Sequence, residues 1–189
     1  MHYCCYLYTK EFPTDDVITR VMEPFKSYSD YEERPPILWD WMMLGGRYAG
    51  KLKLAVTKST IEKYEFDVCA KTKRAGRLFR CRLHELTARG ILDNFGYRLN
   101  TIDEEEAIRY CGYRDGVLYV DGAWIQDLTN FDEIADACYC AVDSDGNAIA
   151  RDTYNGHEWI RDEDFDQKLR DLANRSRNDC YLTVLDLHN

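Results

Sequence analysis

The sequence lacks any uninterrupted apolar stretch close to the roughly 20 residues that a membrane-spanning helix needs. Its first residues, MHYCCYLYTKEF, also lack the basic start and the small-residue cleavage site of a secretory signal peptide. Both absences predict a protein that is neither inserted into a membrane nor exported, and we expect it in a cytoplasm.

Paired cysteine spacing is absent too, although the chain has eight cysteines. None of them forms a C-x-x-C pair, which argues against a structural zinc site. In a chain without an export signal, we expect free, buried thiols in a reducing compartment. We expect no metal and no cofactor.

The motifs of several common enzyme families are also missing. The sequence has no P-loop, no G-x-G-x-x-G segment after a strand, no H-E-x-x-H helix and no G-x-S-x-G elbow. The segment DSDGN at residues 143–147 resembles the start of an EF-hand calcium loop, but the glutamate that would follow is absent. We interpret this segment as a plain turn.

The chain does contain enough apolar material for a core, and its charge is unevenly distributed. It has 189 residues, of which 45% are apolar and 13% aromatic, and its formal net charge is −9. Residues 51–100 hold 12 basic and 5 acidic side chains, whereas residues 101–150 hold 2 and 12. An acidic total argues against a general nucleic-acid coat but suits a protein that binds basic surfaces. The two blocks either face a partner or face each other within the fold.

Local patterns predict a strand, a helix and a hairpin in the first part of the chain. Residues 2–9 favour a strand, and the acidic turn after Thr14 favours the start of a helix. Two further strands, Trp39–Leu44 and Tyr48–Thr57, are predicted to form a hairpin through Gly45-Gly46.

The last part of the chain gives similar signals. Asp121-Gly122 and Asp145-Gly146 each predict a tight hairpin turn. A helix follows, and residues 180–188 favour a closing strand. The apolar face of that helix is expected to hold Phe165, Leu169 and Leu172.

These elements together predict the fold class α+β. We expect one domain over residues 1–189, built on an antiparallel sheet with hairpins and packed by two to four helices. Residues of about 70–112 are expected to form a more helical, basic insert, with a capping box of Thr101 and Glu104.

A basic stripe is predicted within that insert. If residues 71–89 form a helix, one side of it carries Lys73, Arg77, Arg80 and His84. Such a stripe could bind phosphates, with a salt-dependent affinity. The alternative is a solvated face that pairs with the acidic residues 103–106.

The end of the chain, TVLDLHN, holds a candidate catalytic pair. In a strand, Asp186 and His188 project to the same face, so the carboxylate could orient the imidazole as a general base or both could bind a metal. The alternative is a surface ion pair or a hydrogen bond at the end of a sheet. His157 is a possible third member, although no spacing connects it to the pair.

The segment WDWMMLGGRYAG presents one arginine beside two glycines. Alternation places Trp39 and Trp41 together in the core, with Asp40 on the opposite face. An internal salt bridge with Asp40 is the favoured interpretation of Arg47. Binding of a ligand phosphate is the alternative.

Two signatures resemble a family of uncharacterised small proteins carried by bacteriophages and prophages. The first is Trp39-Asp40-Trp41 followed by GGRYAG at residues 45–50, and the second combines residues 141–146 with the closing Asp186-Leu187-His188. Tyr48 and Leu187 depart from the tryptophan and cysteine that the family usually has there. The resemblance implies a mobile-element origin and a location in a bacterial host cell, but it brings no known activity.

Three functions fit these observations. The first is an anti-CRISPR-type inhibitor that binds a host or defence-system protein, such as a CRISPR effector or its RNA, through the acidic residues Glu104, Glu105 and Glu106. The second is a small nuclease or phosphodiesterase that acts on RNA or a nucleotide signal. The third is a sponge for a nucleotide defence signal. We expect the first and therefore lean against an enzyme; the second would use Arg47, Asp186 and His188.

Overall fold

The computed structural model describes residues 1–27, 35–55, 57, 67–71, 78–82, 113–114, 117–134, 138–155 and 157–189. Within these ranges, the strands and helices form an α+β domain, as predicted. In chain order they are β1 (His2–Thr9), α1 (Asp15–Met22), β2 (Trp41–Leu44), β3 (Leu52–Ala55), β4 (Asp67–Lys71), β5 (Leu78–Arg82), β6 (Tyr113–Arg114), β7 (Val117–Val120), β8 (Gly122–Trp124), α2 (Phe131–Ile134), β9 (Cys140–Val142), β10 (Ala148–Ala150), β11 (Asp152–Tyr154), β12 (Trp159–Arg161), α3 (Phe165–Ser176) and β13 (Tyr181–His188).

The two long strands β1 and β13 form the centre of the main sheet. They pair antiparallel along their whole length, with His2 opposite His188 and Thr9 opposite Tyr181. The sheet order is β10-β9-β1-β13-β2, and β8 pairs with the first half of β13. The pairing of β1 with β9 is parallel and the other pairings in this sheet are antiparallel.

Both faces of the central strands are covered. On one face, Ile18 and Met22 of α1 pack against Leu7 and Leu185. On the other face, Phe165, Leu169 and Leu172 of α3 pack with Tyr6, Tyr8, Leu52 and Leu54. Because each face is buried, β1 and β13 are mostly apolar on both sides, and the polar residues Thr183 and Asp186 of β13 are buried as well.

Several local predictions are confirmed. The Thr14 hydroxyl caps α1 by accepting the Val17 N–H at 3.4 Å. The apolar face of α3 is buried, as its spacing predicts. The turn at Asp145-Gly146 joins β9 to β10, and Gly146 has φ of +83° there.

The predicted hairpin at Gly45-Gly46 is wrong. Strand β2 pairs with β13, whereas β3 pairs with β7 in a separate sheet. The predicted hairpin at Asp121-Gly122 is wrong for the same reason, because β7 pairs with β3 and β8 pairs with β13. Both glycine segments carry the chain from one sheet to the other. Alternation of apolar residues assigns a face to a strand but does not identify its partner.

The shared face of the two tryptophans is also a wrong prediction. Trp39 is buried under α1, where its indole N–H donates to the Met22 carbonyl at 2.8 Å. Trp41 is 43% exposed and its ring lies on the side of His2. The chain bends at Asp40, before β2 begins, and this bend breaks the alternation.

The predicted helix over residues 71–89 is contradicted where the structure describes it. Leu78–Arg82 is a strand, β5, and it pairs antiparallel with β4, so Arg80 stands opposite Cys69. A short run of alternating apolar and basic residues suits either element, and pairing with β4 favours the strand. The other members of the stripe, Lys73, Arg77 and His84, lie outside the described residues, as do Thr101, Glu104, Glu105 and Glu106.

The cysteines whose side chains are described are free and buried, as predicted: Cys4, Cys5, Cys138, Cys140 and Cys180. Burial raises the pKa of Cys4 to about 12 and raises the pKa values of Cys138, Cys140 and Cys180 above that of an ordinary thiol. None of the helices in the described ranges combines the length and the apolar character that crossing a membrane requires.

We expect these thiols to resist alkylation in the folded protein. Burial keeps the reagent away from all five thiols. The thiolate is the reactive form, so the raised pKa values of Cys4, Cys138, Cys140 and Cys180 also keep those four thiols neutral at mildly alkaline pH. Iodoacetamide followed by peptide mass spectrometry should leave all five unmodified in native buffer and modify all five in guanidinium chloride. Rapid native modification of Cys4 or Cys140 would contradict this burial.

Candidate functional site

Two histidines meet at the end of the central sheet. His2 begins β1, His188 ends β13, and the two are directly opposite each other. Opposite residues of an antiparallel pair project to the same face. The two imidazole rings lie 4.9 Å apart between centroids, with 66° between their planes.

The buried carboxylate of Asp186 orients the His2 ring. Asp186 is 1% exposed, and its Oδ1 lies 2.9 Å from His2 Nδ1. The His2 side chain is 23% exposed. A carboxylate that accepts the Nδ1–H fixes the tautomer of the imidazole and leaves Nε2 as the nitrogen that can take up a proton.

The glycine pair holds the second oxygen of the same carboxylate. The backbone N–H of Arg47 donates to Asp186 Oδ2 at 2.9 Å. A Cβ at Gly46 would lie 2.5 Å from the Cβ of Asp186, and Gly46 has φ of +53°. The two glycines therefore do not turn a hairpin. Gly46 lets the backbone approach the carboxylate that holds His2.

A second buried aspartate lies under the same loop. Asp121 is 9% exposed, and its Oδ1 accepts the backbone N–H of Gly50 at 2.7 Å. A Cβ at Gly45 would overlap the Asp121 carboxylate. The loop from Gly45 to Gly50 therefore packs against two carboxylates, that of Asp186 within β13 and that of Asp121 between β7 and β8.

His188 is oriented by another carboxylate, Asp40. His188 Nδ1 lies 2.8 Å from Asp40 Oδ1, and both side chains are exposed. The hydrogen bond from His188 lowers the pKa of Asp40. The predicted salt bridge between Arg47 and Asp40 is therefore replaced by a histidine contact, and the Arg47 side chain is exposed.

The predicted pairing of Asp186 with His188 is also replaced. The two residues share a face, as expected, but Asp186 contacts His2 on the neighbouring strand β1, and His188 contacts Asp40, which precedes β2. Residues i and i+2 of a strand stand roughly 7 Å apart, which is farther than cross-strand neighbours. The sequence did not predict a role for His2. The one sequence signal is that His2 begins a predicted strand, and its pairing with the Asp-x-His strand is seen only in the structure.

A small basic pocket opens beside His2. Its volume is about 280 Å³, and it is lined by His2, Tyr48, Lys51 and Arg151 among others. The Lys51 ammonium lies 5.3 Å from the centroid of the Tyr48 ring, and the Tyr48 hydroxyl donates to the His2 carbonyl at 3.2 Å. We call this the basic pocket. Two cations next to an oriented imidazole suit an anionic ligand.

A larger groove also borders His2 and shares Tyr3 and Tyr139 with the basic pocket. Its volume is about 560 Å³, and its rings include Tyr3, Tyr139, Tyr154 and Trp159. Tyr3 and Tyr139 lie 5.4 Å apart between centroids, and Tyr154 and Trp159 lie 5.5 Å apart. Burial and the neighbouring Asp152 carboxylate raise the pKa of Tyr139 to about 12. We call this the aromatic groove, and His2 lines both it and the basic pocket.

The third predicted member, His157, lies elsewhere. It is exposed in the turn between β11 and β12, where its backbone N–H donates to Asn155 Oδ1 at 2.9 Å. Among the described residues, no three side chains of His, Cys, Asp or Glu are placed to hold a metal ion. The structure brings the His2 and His188 rings into contact, and His2 also lines the basic pocket with Lys51 and Arg151.

Comparison of the chain with protein-family models, with curated proteins and with solved structures finds no match. The geometry around His2 is therefore the feature from which a function can be inferred.

Proposed function

We propose that this chain is a phosphodiesterase of the ribonuclease type, which cleaves RNA by acid–base chemistry at His2 and His188. One observation carries the proposal. The His2 imidazole is held through Nδ1 by a buried carboxylate, and it lines a pocket that also contains Lys51 and Arg151. That combination supplies a proton acceptor and positive charge at one place.

In the proposed reaction, His2 Nε2 takes the proton of the ribose 2′-hydroxyl, and the freed oxygen bonds to phosphorus. The bond from phosphorus to the 5′-oxygen breaks. Protonated His188 gives its Nε2 proton to that leaving oxygen. The products are a 2′,3′-cyclic phosphate and a 5′-hydroxyl, and no other reactant is consumed.

The surrounding residues support these roles. Asp186 holds His2 and Asp40 holds His188, each through Nδ1, so both rings have Nε2 left for proton transfer. Lys51 and Arg151 line the pocket where charge builds up on the phosphoryl oxygens. In this proposal Asp186 is a positioning residue, and the phosphate-binding role expected for Arg47 passes to Lys51 and Arg151.

We expect the purified chain to cleave a single-stranded RNA oligonucleotide and to leave cyclic phosphate ends. The DNA of the same sequence should stay intact because it has no 2′-hydroxyl. Gel analysis and mass spectrometry of the ends would measure both, in parallel reactions with magnesium and with EDTA. An RNA with one 2′-deoxy position is the matched control and should resist at that position alone.

Two outcomes would contradict the proposal. The first is equal cleavage of RNA and DNA, since a reaction without the 2′-hydroxyl needs another nucleophile. The second is RNA that is bound but never cut, which would favour the nucleotide sponge instead.

The inhibitor hypothesis stays a prediction. Its acidic residues, Glu104, Glu105 and Glu106, lie outside the described residues. The two hypotheses combine if the RNA that is cut is the guide of a CRISPR effector.

A further inference from the structure

We infer that the aromatic groove is a nucleobase subsite, so that the substrate is a single-stranded oligonucleotide and not a simple phosphate ester. This inference rests on the proposed function, because it places a base next to the phosphate that His2 acts on. Its starting observation is that His2 forms a common wall between the basic pocket and the aromatic groove.

The groove has the size and the surface that a base requires. Its volume of about 560 Å³ falls within the range of roughly 300–1,000 Å³ that is usual for small-molecule sites. The Trp159 side chain is 60% exposed although it is large and apolar. An exposed indole beside Tyr154 provides a face on which a planar base can stack.

Charge distinguishes the two cavities that His2 lines. The cations Lys51 and Arg151 line the basic pocket, where Arg151 also lies 3.5 Å from Asp166. The aromatic groove is lined by the Asp152 carboxylate and by Met1, whose ammonium donates to Asn189. A phosphate would be repelled by Asp152 and attracted by the cations. A base has no net charge, and its N–H groups can donate to a carboxylate. The base therefore belongs in the groove and the phosphate in the basic pocket.

This arrangement also selects single strands. A base can stack on a protein ring only after it has left the stack of a duplex, as in the recognition of single-stranded RNA. A phosphodiester at His2 then has one flanking base within reach of the groove. A duplex of the same sequence presents no such base.

The test uses an uncleavable dinucleotide, with deoxyribose at the linkage, so that binding is measured without turnover. Trp159→Ala should weaken its binding about tenfold, because stacking on an aromatic side chain is the main contact that is lost. Affinity for inorganic phosphate should not change. Isothermal titration calorimetry measures both, and quenching of tryptophan fluorescence by the dinucleotide should be smaller in the variant.

Phe12→Ala is the matched control, since Phe12 is 61% exposed and does not line the groove. It should leave both affinities unchanged. Trp159→Phe keeps a ring at the position and should recover most of the dinucleotide affinity, which separates loss of stacking from loss of folding.

The inference is overturned if Trp159→Ala binds the dinucleotide as tightly as the unmodified chain, or if the unmodified chain binds it no better than inorganic phosphate. These results are distinct from failure of the proposed function. If dinucleotide binding depends on Trp159 but RNA is not cleaved, the nucleobase subsite is supported and the proposed ribonuclease activity is refuted.

Discussion

Replacement of His2 by asparagine is expected to lower kcat for RNA cleavage by about 10²- to 10⁴-fold, the usual contribution of a general base. The asparagine amide can still donate to Asp186 Oδ1, so the buried carboxylate keeps a partner. What the variant loses is the titratable Nε2. Steady-state kinetics on a fluorogenic RNA substrate would measure kcat and KM, and KM should change little.

His157→Asn is the matched control, because it removes an exposed histidine outside the site and should leave kcat unchanged.

Asp186→Asn tests the positioning role of Asp186 with a side chain of the same shape. Its amide would donate towards His2 Nδ1, which forces the ring proton onto Nε2 and blocks proton uptake. A His2→Asn variant that keeps most of its activity would remove His2 from the mechanism.

Gly46→Ala is expected to lower the free energy of unfolding by about 2–5 kcal/mol, more than Gly146→Ala. Part of the loss is backbone strain, since Gly46 has φ of +53°. The larger part comes from Asp186, because the new methyl group would lie 2.5 Å from its Cβ. That atom is next to the backbone of β13 and cannot swing away, so the buried carboxylate and its hydrogen bonds must shift.

Gly146→Ala separates the two causes. Gly146 has φ of +83°, but a Cβ there would have no atom within 4 Å. It should lose only the strain, about 1–2 kcal/mol. Urea unfolding followed by circular dichroism would measure both variants. Equal losses would show that contact with Asp186 contributes nothing.

The parts of the fold that the sequence predicted correctly are those with local causes. The cap at Thr14 starts α1, the spacing of Phe165 and Leu169 buries one face of α3, and Asp145-Gly146 turns a hairpin. In each case the residues that cause the structure lie within a few positions of it. The shared face of Asp186 and His188 followed in the same way from the alternation of a strand.

The sequence alone therefore determined the α+β class, the two long strands and the face that carries the Asp-x-His pair. Only the tertiary structure decided which side chains meet there. His2 and Asp186 are 184 positions apart, and they touch because β1 and β13 pair in one register. The role of Gly46 depends on the same pairing, since the carboxylate it accommodates belongs to β13. The alternation of a strand predicts the face to which a side chain projects, whereas the pairing of distant strands determines which residues that side chain contacts.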